Sequence, residues 1–136
     1  MQLIQKAQNL ERQSKEAEAS LQFINQTIAE LEDFKVALED FKNSKPGSEI
    51  FSQLGNRVYA KTELKDNNVL VDVGAGVLVK KTPEEARKTV EEQLEKLKQA
   101  KVQVTEQLES YAQSFVGLMS ELQKKQQEEA SKKSDK

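Results

Sequence analysis

Cysteine and histidine are both missing from this chain, and their absence removes much chemistry at once. No disulfide, thiol nucleophile, thiolate zinc site or imidazole acid–base or metal site can be built, so no cofactor and no metal is expected. Lack of cysteine also fits a reducing compartment. Long apolar runs are lacking too, so neither a secretory leader nor a membrane span is expected, and the expected location is the cytoplasm. Charge of one sign is not in excess. Lys and Arg number 21 against 23 Asp and Glu, a net charge of −2, which leaves no electrostatic footprint for nucleic acid. Apolar residues are scarce for a chain of 136, at 36% against 32% charged. A compact core would want more, whereas a helical seam uses only two positions in seven.

What the chain does contain is a seven-residue repeat, twice. Leu3, Leu10, Ala17, Ile24, Leu31 and Leu38 recur every seven residues, interleaved with Ala7, Ser14, Leu21, Ile28 and Lys35. Val90, Leu97, Val104, Tyr111 and Leu118 do the same, interleaved with Leu94, Lys101, Leu108, Phe115 and Leu122. This spacing keeps one apolar seam facing a partner helix. The pattern predicts a first coiled-coil helix over 1–42, free of Pro and Gly and ended by Asn43-Ser44-Lys45-Pro46-Gly47. A second is predicted over 82–125, with Thr82 as N-cap, Pro83 at the first helical position and Glu85 completing a capping box. Residues 126–136 carry too little apolar content to pack and are expected to form a disordered tail.

Between the helices, over 43–81, the period changes to two. Val58, Ala60, Thr62 and Leu64 alternate with Tyr59, Lys61, Glu63 and Lys65, which is strand spacing. Asp66-Asn67-Asn68 reads as a hairpin turn, since Asn tolerates positive φ. The run Val69-Leu70-Val71-Asp72-Val73 and the run Val77-Leu78-Val79-Lys80 flank Gly74-Ala75-Gly76, giving two strands or one sharply bent strand. A further short strand is expected around Ile50 to Leu54. An isolated hairpin is marginal in water and its edges invite pairing with another chain, so the block is read as an assembly interface. Its candidate residues are Val58, Tyr59, Leu64, Val69, Leu70, Val71, Val73, Val77, Leu78 and Val79.

Because the block turns the chain back on itself, the helices are expected to pair antiparallel. Leu3 then faces Leu122, Ala7 faces Leu118, Leu10 faces Phe115, Ser14 meets Tyr111 and Leu31 meets Leu94. Ile24 with Lys101, Lys35 with Val90 and Leu38 with Arg87 are mixed layers in which the cation lies along the seam with its charge in water. Ile4 and Met119 widen the apolar surface at the open end. Either they finish the coil, or Leu3, Ile4, Phe115, Met119 and Leu122 meet something outside.

Catalytic readings fail one by one. Gly74-Ala75-Gly76 lacks the third glycine and the following helix of a dinucleotide loop. The carboxylates at Glu30, Glu32, Asp33, Glu84, Glu85, Glu91 and Glu92 read as solvated helix faces, not as a paired acid and base. Asp72 alone interrupts an apolar strand. No enzyme is expected.

The stretch from Val69-Leu70-Val71-Asp72-Val73-Gly74-Ala75-Gly76 through Val77-Leu78-Val79-Lys80-Lys81-Thr82-Pro83-Glu84-Glu85-Ala86 resembles the α-class subunits of prefoldin. Leu54-Gly55 before Val58-Tyr59 resembles that family's entry to its first hairpin, with Gln53 where a proline is usual. The resemblance implies an α+β fold, a long antiparallel α-helical coiled-coil hairpin whose central two-β-hairpin block forms part of an oligomeric β-barrel. It implies a hetero-hexamer with β-class subunits and a second α-class subunit, in which ATP-independent holdase arms pass unfolded polypeptides to a group II chaperonin. Client contacts would then fall on Leu3, Ile4, Ala7, Phe115, Leu118, Met119 and Leu122. No nucleic acid or membrane partner is implied. A structural coiled-coil scaffold, or a filament-forming or homomeric relative, is the competing reading.

Overall fold

A computed structural model describes residues 2–134 of the chain. The elements run α1 (Gln2–Lys42), β1 (Glu49–Gly55), β2 (Val58–Glu63), β3 (Val69–Asp72), β4 (Leu78–Lys81) and α2 (Pro83–Ser134). This is the expected α+β order, two long helices with two antiparallel hairpins between them. Contacts group into two units, Met1–Thr27 with Leu97–Lys136, and Ile28–Lys96.

In the second of these units the core is small and sits on the seam. Leu38, Ala86, Val90 and Leu94 are buried, with Ile28, Leu31 and Val69 packed against them. Fully burying one such aliphatic side chain stabilises by roughly 1.5–3 kcal/mol. Ion pairs fix the sense of the pairing. As α1 advances from Lys35 to Glu39 to Lys42, its partners step back along α2 from Glu91 to Arg87 to Glu84, at 3.7, 3.6 and 2.6 Å. The helices are therefore antiparallel here, in the register expected from the repeats. Lys35 and Arg87, the cations of two mixed layers, reach these carboxylates from the edge of the seam.

The helix boundaries follow local chemistry. At the start of α2, Thr82 Oγ1 accepts the Glu85 N–H at 3.2 Å, the N-cap bond that satisfies one otherwise orphaned donor. At the end of α1, Ser44 Oγ donates to the Asp40 carbonyl at 3.0 Å. The Asn67 amide then donates to the carbonyls of Phe41, Lys42 and Ser44 at 3.2, 2.9 and 2.6 Å. Asp66-Asn67-Asn68 is thus a connector tied to α1 and not the hairpin turn that its composition suggests. β2 does not pair with β3.

Each hairpin has its own turn. β1 and β2 pair from Glu49↔Glu63 to Gly55↔Val58, with a bulge at Leu54 where the register shifts. Asn56 and Arg57 close them with φ of 47° and 64°, the two positive values that a type I′ turn needs. β3 and β4 pair from Val69↔Lys81 to Asp72↔Leu78. Gly74, Ala75 and Gly76 all have positive φ, so the glycine kink separates two strands. Asp72 belongs to this turn: its Oδ1 accepts the Gly74 N–H at 2.9 Å, an Asx turn. That explains a charge inside an apolar run.

In the first unit the repeat also dictates burial. Leu3, Ala7, Leu10, Ser14, Ala17, Leu21 and Ile24 on α1 are buried or half-buried, as are Leu97, Val104, Leu108, Tyr111, Leu118 and Leu122 on α2. Lys101 and Phe115 are the seam positions that stay exposed. α2 also runs past the expected end near Lys125, to Ser134. The residues after Leu122 have no apolar stripe and are exposed through Lys132, yet Gln, Lys, Glu and Ala are strong helix formers with no Pro or Gly among them. Of the segment expected as a tail, Asp135 and Lys136 lie outside the described residues.

Candidate functional site

Among the described residues no group of three or more Asp and Glu could hold a metal ion. The ionisable pair that departs from ordinary behaviour is Lys42 with Glu84, where the hydrogen bond and opposite charge hold the amine above its usual range and the carboxyl below its own. Both lie in solvent, one on the last turn of α1 and one on the first turn of α2, each matched to the helix dipole. They staple the two helix ends together. What remains is surface.

The first surface is the outer side of the hairpins. Val58, Tyr59, Leu70, Val73, Val77, Leu78 and Val79 are all exposed; neighbours such as Val58 and Tyr59 lie on opposite faces of their strand, so both faces of the hairpins carry exposed apolar residues. Leu64 departs from the interface reading. It is buried, 7% exposed, and its backbone closes the base of the first hairpin by bonds to Gly47 and Ser48. Val69 packs on the core of its own chain and Val71 is half-buried. Alternation assigns residues to two faces without saying which face the chain keeps for itself. Phe51 and Leu54, at 74% and 71% the most exposed large apolar side chains, were missed. The signal was present: Phe51 is out of phase with Ile50 and Ser52, which turn inward.

The second surface is an apolar groove of about 460 Å³ within the same unit, between Phe34, Ala37 and Phe41 of α1, Val69, Leu70 and Val71 of β3, and the first turns of α2. Phe34 and Phe41 stand seven residues apart beside the seam, a spacing that could have found them. The third surface lies at the N-terminal end of α1 and the C-terminal part of α2. Ile4, Phe115 and Met119 are exposed there, while Leu3, Ala7, Leu118 and Leu122 are half-buried along the seam. Val116 at 68% adds to the exposed set. The predicted site residues thus divide into a seam that holds the helices together and a flank that faces solvent. Among the described residues no helix is long and apolar enough to cross a membrane.

Comparison with known proteins agrees with this architecture. The family profile described as Prefoldin subunit matches residues 10–128. One curated relative, a prefoldin subunit alpha of Methanosphaera stadtmanae, is 27% identical over 90 residues, 66% of this chain and 64% of that protein. The aligned part thus spans a little under two thirds of that relative's length. A chain from the cryo-EM structure of filamentous PFD from Methanocaldococcus jannaschii superposes with a TM-score of 0.75 at 20% identity, covering 86% of this chain and 98% of that one. That likeness shows the shared fold. With two helices, two hairpins and a profile match over most of its length, the chain belongs to the prefoldin family, in its α class.

Proposed function

We propose that this chain is a subunit of an ATP-independent cytoplasmic holdase, which captures unfolded polypeptides on the flank formed by Ile4, Phe115, Val116 and Met119 and passes them to a group II chaperonin. Its partners in this reading are β-class prefoldin subunits and a second α-class subunit, joined through the hairpins. One observation carries the assembly: both sheets stop at two strands, and their outer residues, from Phe51 to Leu78, lie in solvent. Two-stranded sheets are marginal alone and exposed apolar strands pair readily, so a neighbouring chain completes them. Capture is assigned to the flank of the first unit. A partly buried apolar contact is worth about 1–2 kcal/mol, and several arms acting on one client gain by effective concentration. Met119 adapts its shape to varied clients. The weakness of each contact permits release.

The relative seen in a filament supports a second reading, in which copies of this chain assemble with one another. Mixing the purified chain with a β-class subunit and measuring mass separates the two. A discrete complex of two and four chains supports the first; homomeric filaments that ignore the partner support the second. The client surface has its own test. Ile4→Ser, Val116→Ser and Met119→Ser together should reduce suppression of client aggregation with the complex intact. Unchanged suppression removes the capture assignment.

A further inference from the structure

Within the unit of Met1–Thr27 and Leu97–Lys136, a recess of about 350 Å³ opens between α1 and α2. Leu108, Tyr111 and Phe115 of α2 form its apolar side, and Glu11, Ser14 and Glu18 of α1 form its other side. Ser14 occupies a seam position where most layers carry an aliphatic residue, so the layer shared with Tyr111 is underfilled. Glu11 and Glu18 stand three residues before and four residues after Ser14, one turn below and one above it on the same face. Glu11 also contacts Lys15 at 3.5 Å, with both side chains mostly in solvent; such a pair is screened and readily exchanged. Two carboxylates, Glu11 and Glu18, therefore rim a recess whose opposite wall is aromatic and aliphatic.

We infer that this recess selects among clients, taking an apolar side chain that is flanked by Lys or Arg in a non-native segment. The inference rests on the capture reading above and refines it. An apolar side chain fills the space that Ser14 leaves, and the flanking cation stays in water between Glu11 and Glu18. A segment with acidic flanks meets like charge at the same spot and is disfavoured. Selection by the rim also predicts sensitivity to salt, because exposed charges are screened beyond about 8–10 Å at physiological ionic strength.

The test uses the full-length chain in its assembled form and three unstructured fluorescent peptides with a common Leu-Phe-Leu core, flanked by Lys, Ser or Glu. Anisotropy titrations at low salt should rank them Lys, then Ser, then Glu, with about three- to tenfold between the extremes, the scale of one or two exposed ion pairs. The ratio should shrink towards one in high salt. The double variant Glu11→Gln with Glu18→Gln should abolish the ranking. Gln is as good a helix former as Glu, so the fold tolerates the change. Glu16→Gln, on the outer side of α1, should keep the ranking. Equal binding of the three peptides, or a ranking that survives the double variant, overturns the inference and leaves client capture standing. Failure of all three peptides to bind removes both.

Discussion

Replacing Asn67 tests how the hairpins are tied to the helices. Its amide faces three carbonyl oxygens at the end of α1, those of Phe41, Lys42 and Ser44, but an NH₂ group has only two protons. Two full hydrogen bonds, with the third sharing a proton, are therefore the most it can make. At about 0.5–1.5 kcal/mol net for each bond, Asn67→Ala should cost about 1–3 kcal/mol, towards the lower end because the side chain is half-buried. Asn67→Asp discriminates better. The carboxylate has nearly the same shape, yet it donates nothing and adds negative charge beside carbonyl oxygens at the negative end of a helix dipole. It should be worse than alanine near neutral pH, reversing the usual advantage of an isosteric change. The same repulsion raises the pKa of that carboxyl in the folded chain, so the Asp variant should recover relative to the Ala variant as pH falls through the raised value, with recovery complete below about pH 4. Urea unfolding followed by circular dichroism gives the free energies, and exchange of the Asn43 and Ser44 amides reports the last turn of α1 directly. If Asp proves milder than Ala at neutral pH, the amide is not capping these carbonyls and the account of the connector fails.

Two other expectations concern the ends of the same elements. Arg57 holds φ of 64° in the first hairpin, a conformation that costs an ordinary L-residue about 1–2 kcal/mol; glycine avoids this but loses roughly 0.5–1 kcal/mol in chain entropy. Arg57→Gly should therefore stabilise by about 0.5–1 kcal/mol and raise Tm, and a lowered Tm would refute the turn assignment. The Lys42–Glu84 pair should give stability a plateau with two shoulders. Glu84, held below its usual range by Lys42, contributes above the ordinary carboxylate range and loses this as pH falls through its lowered value. Lys42, held above its usual range by Glu84, contributes below the ordinary amine range and loses this as pH rises through its raised value. Glu84→Gln should flatten the acid shoulder in a pH series of urea midpoints, and both shoulders should weaken in salt.

The seam was the most legible part of the chain, because burial on a paired helix follows directly from residue spacing. Knowing Leu38, Val90 and Leu94 as heptad positions is nearly the same as knowing the core. The hairpins were legible as elements but not as pairs. Asn67 reads locally as a turn former, while its three acceptors lie 23 to 26 residues earlier in the chain, beyond the reach of any window. The true turn holds Arg57, a residue that gives no sign of positive φ. Leu64 shows the limit of alternation, which separates two faces without ranking them. The candidate surface at the helix ends was readable in Ile4 and Met119, since an aliphatic or thioether side chain just beside a seam widens it. The recess beside Ser14 was not, because an underfilled layer depends on volumes that no repeat records.

Two ribbons that each end after a second strand leave the solitary chain in an awkward condition. Phe51, Leu54, Leu70 and Leu78 lie open to solvent, so under the proposed assembly a chain without companions is itself a sticky molecule. If the proposed mixed assembly holds, an excess of this chain should precipitate or be degraded, and supplying its companions should rescue it by mass action.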